Sequence, residues 1–248
     1  MMLALLFGWS MAQARTCPDA ATLQAAWEAY RPALTAEAVY PFRFTEKEWA
    51  TVAKCEVARR REKLKGTDRV LGLVWLDADI DTAWVAVQDP HIEIVDGFVE
   101  ETLPGSTFEN KVVYQSIDLP WPLATRQWVI RVVNNGALRT KTNGHVWERT
   151  WDLDPARSAT HEKKKGVWLD VNDGGWFFAK AAGGTLVGYH ARTVVGGIVP
   201  DEIATRWSFG TIGKMLRRVA ERVPWVREHY VEDHVPVLRP GATPIPPG

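Results

Sequence analysis

The stretch Asp118-Leu119-Pro120-Trp121-Pro122-Leu123-Ala124-Thr125-Arg126-Gln127-Trp128-Val129 decides the reading of the fold. Pro120 and Pro122 stiffen a turn and set the chain extended as it leaves that turn. The residues that follow alternate, with Arg126, Trp128, Ile130 and Val132 on one face and Gln127, Val129 and Arg131 on the other. Outward from this strand, hairpin signals recur at Asp96-Gly97, Pro104-Gly105, Asn135-Gly136, Asn143-Gly144, Asp173-Gly174-Gly175 and Gly183-Gly184. They bound strands over 91–103, 107–118, 125–134, 138–153, 166–172, 175–182 and 185–195, and Arg69–Leu76 adds another. Strands joined mostly by hairpins predict an α+β fold built on one curved antiparallel sheet of about 7–9 strands.

Helices flank this run. Residues 18–31 and 45–64 read as helices, the second opened by a Thr45–Glu48 capping box. Asp77–Gln88 reads as a short helix. Its Asp77, Asp79 and Asp81 have the spacing that begins a calcium loop, but Thr82 and Gln88 stand where Gly and Glu are needed, so helix capping is expected instead. After Gly196-Gly197 and Pro200 the helical period returns, with Ile203, Trp207, Ile212, Met215, Leu216, Val219, Ala220 and Val223 on one face. Asp201 and Glu202 open this helix and Arg217, Arg218 and Arg222 lie toward its end, which suits the macrodipole. Such a helix needs an apolar partner, and the concave side of a curved sheet supplies one. A helix laid across a bent sheet leaves a tunnel, the kind of concave apolar space that takes small molecules.

Composition narrows the function classes. The 248 residues are 46% hydrophobic and 24% charged, so most of the chain folds. Thirty Lys and Arg balance thirty Asp and Glu, which argues against a nucleic-acid partner. Thirteen Trp beside four Met require broad flat apolar surfaces, in a bulky core or around a cavity.

Leu3–Met11 is a short apolar run closed by Ala12-Gln13-Ala14, the pattern of a secretory signal peptide over residues 1–14. Export to the periplasm or beyond would leave Cys17 and Cys55 in an oxidising compartment. There they most simply form one disulfide, two buried thiols being the alternative. The expected organisation is a leader (1–14), an N-terminal helical segment (15–66), a ligand-binding domain (67–235) and a disordered tail (236–248) with five Pro in thirteen residues.

Five markers in order resemble the START domains (steroidogenic acute regulatory protein-related lipid transfer) of the helix-grip superfamily. They are Ala83-Trp84 with Gln88-Asp89, the Asp118–Val129 stretch, Gly166-Val167-Trp168, Thr185-Leu186-Val187-Gly188-Tyr189, and Gly196-Gly197-Ile198-Val199-Pro200 before the last helix. The resemblance runs from about Thr67 to Val223. Gln127 stands where the family usually has Asp, and Val132 where sterol-binding members often place an inward Arg. The resemblance implies a sheet wrapped on a long C-terminal helix and a lipid or other bulky, sterol-like hydrophobic ligand. It also implies transport between membranes, with transient membrane contact, no cofactor and a monomer. Helix-grip relatives also include cyclases, dehydratases and hydrolases of aromatic or polyketide-like substrates, so an enzyme is the second reading. A filled scaffold for protein contacts is the third.

The expected lining residues are Tyr114, Arg126, Trp128, Trp147, Trp151, Tyr189, Trp207 and Met215. They derive from the strand faces Val112/Tyr114/Ser116, Arg126/Trp128/Ile130/Val132, His145/Trp147/Arg149/Trp151 and Val187/Tyr189/Ala191. Aromatic walls around one or two cations would suit a lipid with an anionic or hydroxyl head. Each Trp has core packing as its plain alternative, and Arg126 an ion pair with Asp118. Gly210 and Gly213 would be the weak points of a helical lid. No HExxH, paired-Cys or Gly-x-Ser-x-Gly motif occurs, so no catalytic residue and no metal are expected. His229, Glu232, Asp233 and His234 are set aside as metal ligands because they abut the Pro-rich tail. His145 and Tyr189 are the first residues to examine if the chain is an enzyme.

Overall fold

The computed structural model describes residues 16–89, 91, 95–119, 123–160, 166–194, 196 and 201–248, side chains excepted at 160 and 201–208. The leader, the Pro120–Pro122 turn, the loop at 161–165 and Gly197–Pro200 lie outside the described residues.

Helices α1 (Ala20–Glu28), α2 (Arg31–Glu37) and α3 (Glu46–Val52) come first. Asp19 caps α1, and the Thr45–Glu48 capping box opens α3 as its sequence predicts. The helix expected over 45–64 stops early, however. Cys55 turns left-handed (φ 61°), and Ala58–Glu62 forms β1 instead. Three consecutive Arg and one Glu run along this edge strand, where charge blocks pairing with another chain. Cys55 is bonded to Cys17, tying the start of the described chain to the end of α3.

The strands that follow are β2 (Arg69–Leu76), then α4 (Ile80–Gln88), β3 (Phe98–Thr102), β4 (Asn110–Ile117) and β5 (Arg126–Asn134). After α5 (Gly136–Lys141) come β6 (Val146–Leu153), α6 (Pro155–Thr160), β7 (Val167–Trp168), β8 (Val171–Ala181) and β9 (Gly184–Val194). Helix α7 (Asp201–His229) is followed by β10 (Leu238–Arg239) and β11 (Thr243–Pro244). The main sheet has nine strands in the order β1-β2-β9-β8-β6-β5-β4-β3, with β7 pairing parallel to β5 and every other pairing antiparallel. This is the α+β helix-grip architecture expected, a wide antiparallel sheet with a long C-terminal helix. Because β1 pairs with β2, the sheet begins at Ala58, upstream of the boundary drawn at 66.

Three local expectations are corrected. Asn135-Gly136 opens a helix rather than a hairpin: Asn135 caps α5 by accepting from the Leu138 amide, and Leu138 is buried beneath it. Gly174-Gly175 does not end a strand but lies within β8, opposite Trp151 and Thr150. A Cβ at Gly174 would lie 2.3 Å from the Trp151 ring, so this glycine supplies space for an indole, not a turn. The β8–β9 turn falls instead at Ala182-Gly183, both left-handed as a two-residue hairpin requires.

The tail is also ordered. β10 and β11 form a hairpin, Val237 and Ile245 are buried, and the Trp84 indole donates to the Leu238 carbonyl at 2.7 Å. The Tyr230 hydroxyl donates to the Ile245 carbonyl, and Arg239 pairs with Asp81 at 3.0 Å. Proline count alone suggests disorder, but two well-placed aliphatics and a sheet-like pair hold the segment against α4.

The sheet is covered on both sides. On the convex side, α1–α3 and the 38–44 segment bury Leu23, Trp27, Phe42 and Trp49 against Leu71, Leu73 and Phe177. On the concave side, α4 and α7 bury Trp84, Leu216 and Val219 against Val74, Phe178 and Val187. Gly72 permits close approach there, since a Cβ would stand 2.4 Å from the Leu216 side chain.

Candidate ligand cavity

The concave side is filled at one end and open at the other. At the filled end Trp84 stands edge-on to Trp147 (5.4 Å between centroids) and to Phe178 (5.0 Å). Toward β3–β5 the sheet curls away from α7 and leaves a cavity of about 770 Å³. Its roof is Thr211, Ile212 and Met215 of α7, and its walls include Trp128, Ile130, Trp151, Trp176 and Tyr189. The volume lies within the ordinary range for small-molecule sites.

Strand alternation explains who lines it. On β5, Arg126, Trp128, Ile130 and Val132 all face the cavity, as their spacing predicts. Trp151, Tyr189 and Met215 join them. Tyr114 does not: β4 presents Lys111, Gln115 and Ile117 to the cavity, and Tyr114 turns to the convex side. There it packs with Leu103, Val112 and Val129 and donates to Gln127 Oε1 at 3.1 Å. Both faces of β4 are buried, so its hydrophobic pattern carries no parity signal. Trp147 shares the concave side with Trp151 but lies in the filled end under Trp84, its indole N–H given to the Gly144 carbonyl. The Trp207 side chain lies outside the described residues. His145 precedes β6, is exposed, and packs edge-on to Tyr30 away from the cavity.

The polar groups gather at one end. Arg149 is 7% exposed and gives a guanidinium hydrogen bond to the Gln88 side-chain oxygen. No carboxylate lies within ion-pair distance of it among the described residues. Burial lowers its pKa, although a guanidinium keeps its charge at any ordinary pH. Lys111, on the neighbouring edge of the cavity, also has its pKa lowered, first by burial and then by the charge of Arg149. Glu100 offers the partial counter-charge, 3.7 Å from Lys111 Nζ. Gln115 donates to Glu100 at 2.6 Å and accepts from the Trp128 indole at 2.7 Å, so the wall itself is hydrogen-bonded. Buried Arg149 and half-buried Lys111 therefore bring two cations to this end, with Glu100 and Glu109 acting on Arg149 from beyond ion-pair distance and Asp89 also in the cavity lining.

Arg126 behaves differently. It lines the cavity but binds backbone carbonyls, those of Ala124 and, at 3.1 Å, Gly196. The expected ion pair with Asp118 does not form, because Asp118 accepts from the Thr125 hydroxyl at 2.6 Å. Arg126 thus ties β5 to the segment that leads into α7. Tyr189 faces the cavity with its hydroxyl pKa pushed far upward by burial, so the phenol is neutral. Among the described lining residues there is no histidine or cysteine.

Lys111, Glu100, Gln88, Asn172 and Trp176 were not among the expected lining residues. Lys111 and Gln115 were legible only with the parity of β4 known. Gln88 and Glu100 come from elements whose faces the sequence pattern does not fix.

No protein-family model matches the chain, and no curated protein matches it. Solved structures do. A STAR-related lipid transfer protein fragment from Xanthomonas axonopodis is 19% identical, with a TM-score of 0.55 over 68% of this chain and 93% of that one. Human StAR-related lipid transfer protein 5 is 12% identical, with a TM-score of 0.57 over 68% and 83%. Human STARD10 is 14% identical, with a TM-score of 0.56 over 88% and 86%. The fold of this chain is therefore that of the STAR-related lipid transfer domains.

Proposed function

We propose that the cavity holds one lipid or similarly bulky apolar molecule, its anionic or hydroxyl head toward Arg149 and Lys111, and that the exported protein carries it between membranes in the periplasm. The observation that carries this reading is a cavity of about 770 Å³ with apolar and aromatic walls and two cations at one end, Arg149 buried and Lys111 half-buried. Burial of the ligand's apolar surface at roughly 25 cal/mol per Å² drives uptake, so no cofactor is required. An anionic head between Lys111 and Arg149 offsets the desolvation both now bear. The likeness in fold to proteins described as lipid transfer proteins supports the same class of ligand. The disulfide between Cys17 and Cys55 is in keeping with an oxidising compartment. Among the described residues no helix is long and apolar enough to cross a membrane. Release requires the α7 roof to move, with Arg126 holding the segment on which it turns.

The test is displacement of a fluorescent fatty acid, followed by transfer of a labelled lipid from donor to acceptor vesicles. Arg149→Met should weaken an anionic probe about tenfold or more and leave a neutral probe of the same chain length within about twofold, since the hydrocarbon contacts stay. Equal loss of both probes would contradict the head assignment. Failure of the wild-type protein to bind either would contradict the carrier reading. Chemical conversion of the probe that stops in Tyr189→Phe would favour an enzyme instead.

A further inference from the structure

At the margin of the cavity, whose lining includes Asp89, three side chains from distant parts of the sequence meet where α4 ends and the tail begins. Asp89, His91 and His234 place their potential ligand atoms within 4.8 Å of one another. Asp89 caps the end of α4 and is 2% exposed; His234 follows α7, 145 positions later in the chain by number. The hydrogen bonds fix which ring nitrogens carry protons. His234 Nδ1 lies 2.9 Å from the Val235 carbonyl, which can only accept, so Nδ1 is the protonated nitrogen. With its single proton on Nδ1, the ring would turn an Nε2 lone pair toward Asp89 Oδ2, 3.0 Å away. Asp89 Oδ2 is buried and receives no well-formed hydrogen bond. His91 Nδ1 donates to the other carboxylate oxygen at 2.9 Å, which leaves His91 Nε2 also as a lone pair, on a ring that is 58% exposed and edge-on to His234 at 4.8 Å.

Two lone pairs facing each other at 3.0 Å need a cation between them. A second proton on His234 would satisfy this edge alone. A metal ion satisfies it and uses His91 as well. Ligands about 2.0–2.1 Å from a tetrahedral zinc stand roughly 3.3 Å from each other; the His234 Nε2–Asp89 Oδ2 pair is 3.0 Å apart, and all three ligand atoms lie within 4.8 Å. Two imidazoles and one carboxylate are a borderline-soft set that suits zinc and its neighbours rather than calcium or magnesium. We propose that Asp89, His91 and His234 form a binding site for a divalent transition metal of the zinc class, with a fourth position open to solvent. The ion would clamp the tail to the end of α4, one residue from the Gln88 that holds Arg149. His229, the sequence neighbour weighed for this role, instead stacks flat on Trp225 at 4.8 Å.

The test uses the full chain, freed of metal with a chelator and titrated with zinc chloride by calorimetry, with cobalt as a spectroscopic probe. The expected result is saturable binding of one zinc per chain and visible cobalt bands of a low-coordinate nitrogen–oxygen site. Asp89→Asn and His234→Gln should lower affinity by more than the roughly 10–100-fold that loss of a supporting outer group costs. His91→Gln, at a side chain 58% exposed, should also weaken binding at least tenfold, and His229→Gln should leave it unchanged. Absence of stoichiometric binding in the wild type, unchanged binding in His91→Gln, or equal loss in His229→Gln would each overturn the site.

Discussion

The two faces of the nine-stranded sheet use the same kind of residue to opposite ends. On the convex face Trp27, Phe42, Phe44 and Phe177 close on one another at 4.3–5.9 Å between centroids and leave no space. On the concave face Trp128, Trp151 and Trp176 stand around a cavity and line its wall. What separates the two is how the covering elements approach. Short helices and an extended segment cover the convex surface piece by piece, whereas the concave side is crossed by one 29-residue helix. It makes contact near β2 and stands off near β4 and β5.

That contrast should appear first in stability. Truncating Phe177 to alanine on the filled side removes a ring with neighbours all round and should cost about 3–5 kcal/mol in denaturant unfolding. Trp128→Ala, on the hollow side, should cost clearly less, since part of its surface faces the cavity rather than packed neighbours; comparable losses would mean that the cavity is closed in solution. Replacing both cysteines with serine should cost roughly 3–4 kcal/mol, because the bridge closes a loop of 38 residues between the convex cover and its first element. A thermal melt of the double variant against the oxidised wild type measures it.

His190 allows a smaller but cleaner comparison. It is 4% exposed on the convex side, stacked on Tyr40 at 4.4 Å, with neither ring nitrogen bonded. Burial, aided by the Arg69 charge, lowers its pKa to about 3. The folded protein therefore keeps His190 neutral while the unfolded chain takes up a proton below about pH 6.5. Stability falls as pH falls through that window, by about 2 kcal/mol at pH 5 relative to pH 8 from this residue. His190→Phe should remove that share of the slope; an unchanged slope would mean the ring is solvated. Arg149→Met should have the smallest effect on folding, within about 1 kcal/mol and of either sign, since an apolar side chain there replaces a buried charge. Its effect belongs to ligand binding.

Much of this comparison was readable in the sequence, and the unread parts have physical causes. The alternation on β5 gave its inward face because Trp128, Ile130 and Val132 are uniformly apolar past Arg126, whereas Gln127 and Arg131 break the other side. The same rule failed on β4, where Val112 and Val113 are both buried and parity is undetermined. Gly174-Gly175 looked like a turn because glycine there answers a contact with Trp151 that only the folded sheet contains. Lys111 and Arg149 meet through strand pairing across β4, β5 and β6, a relation no local pattern records. The meeting of His234 with Asp89 depends in turn on a tail whose proline content suggested disorder.

The central claim is that the indole-walled side of the sheet holds a ligand. Native mass spectrometry of gently purified, full-length protein tests it most directly. The account predicts a one-to-one complex with a lipid-sized apolar molecule, which exchanges for an added fluorescent fatty acid. Protein that remains at its bare mass and takes up no added lipid would contradict it.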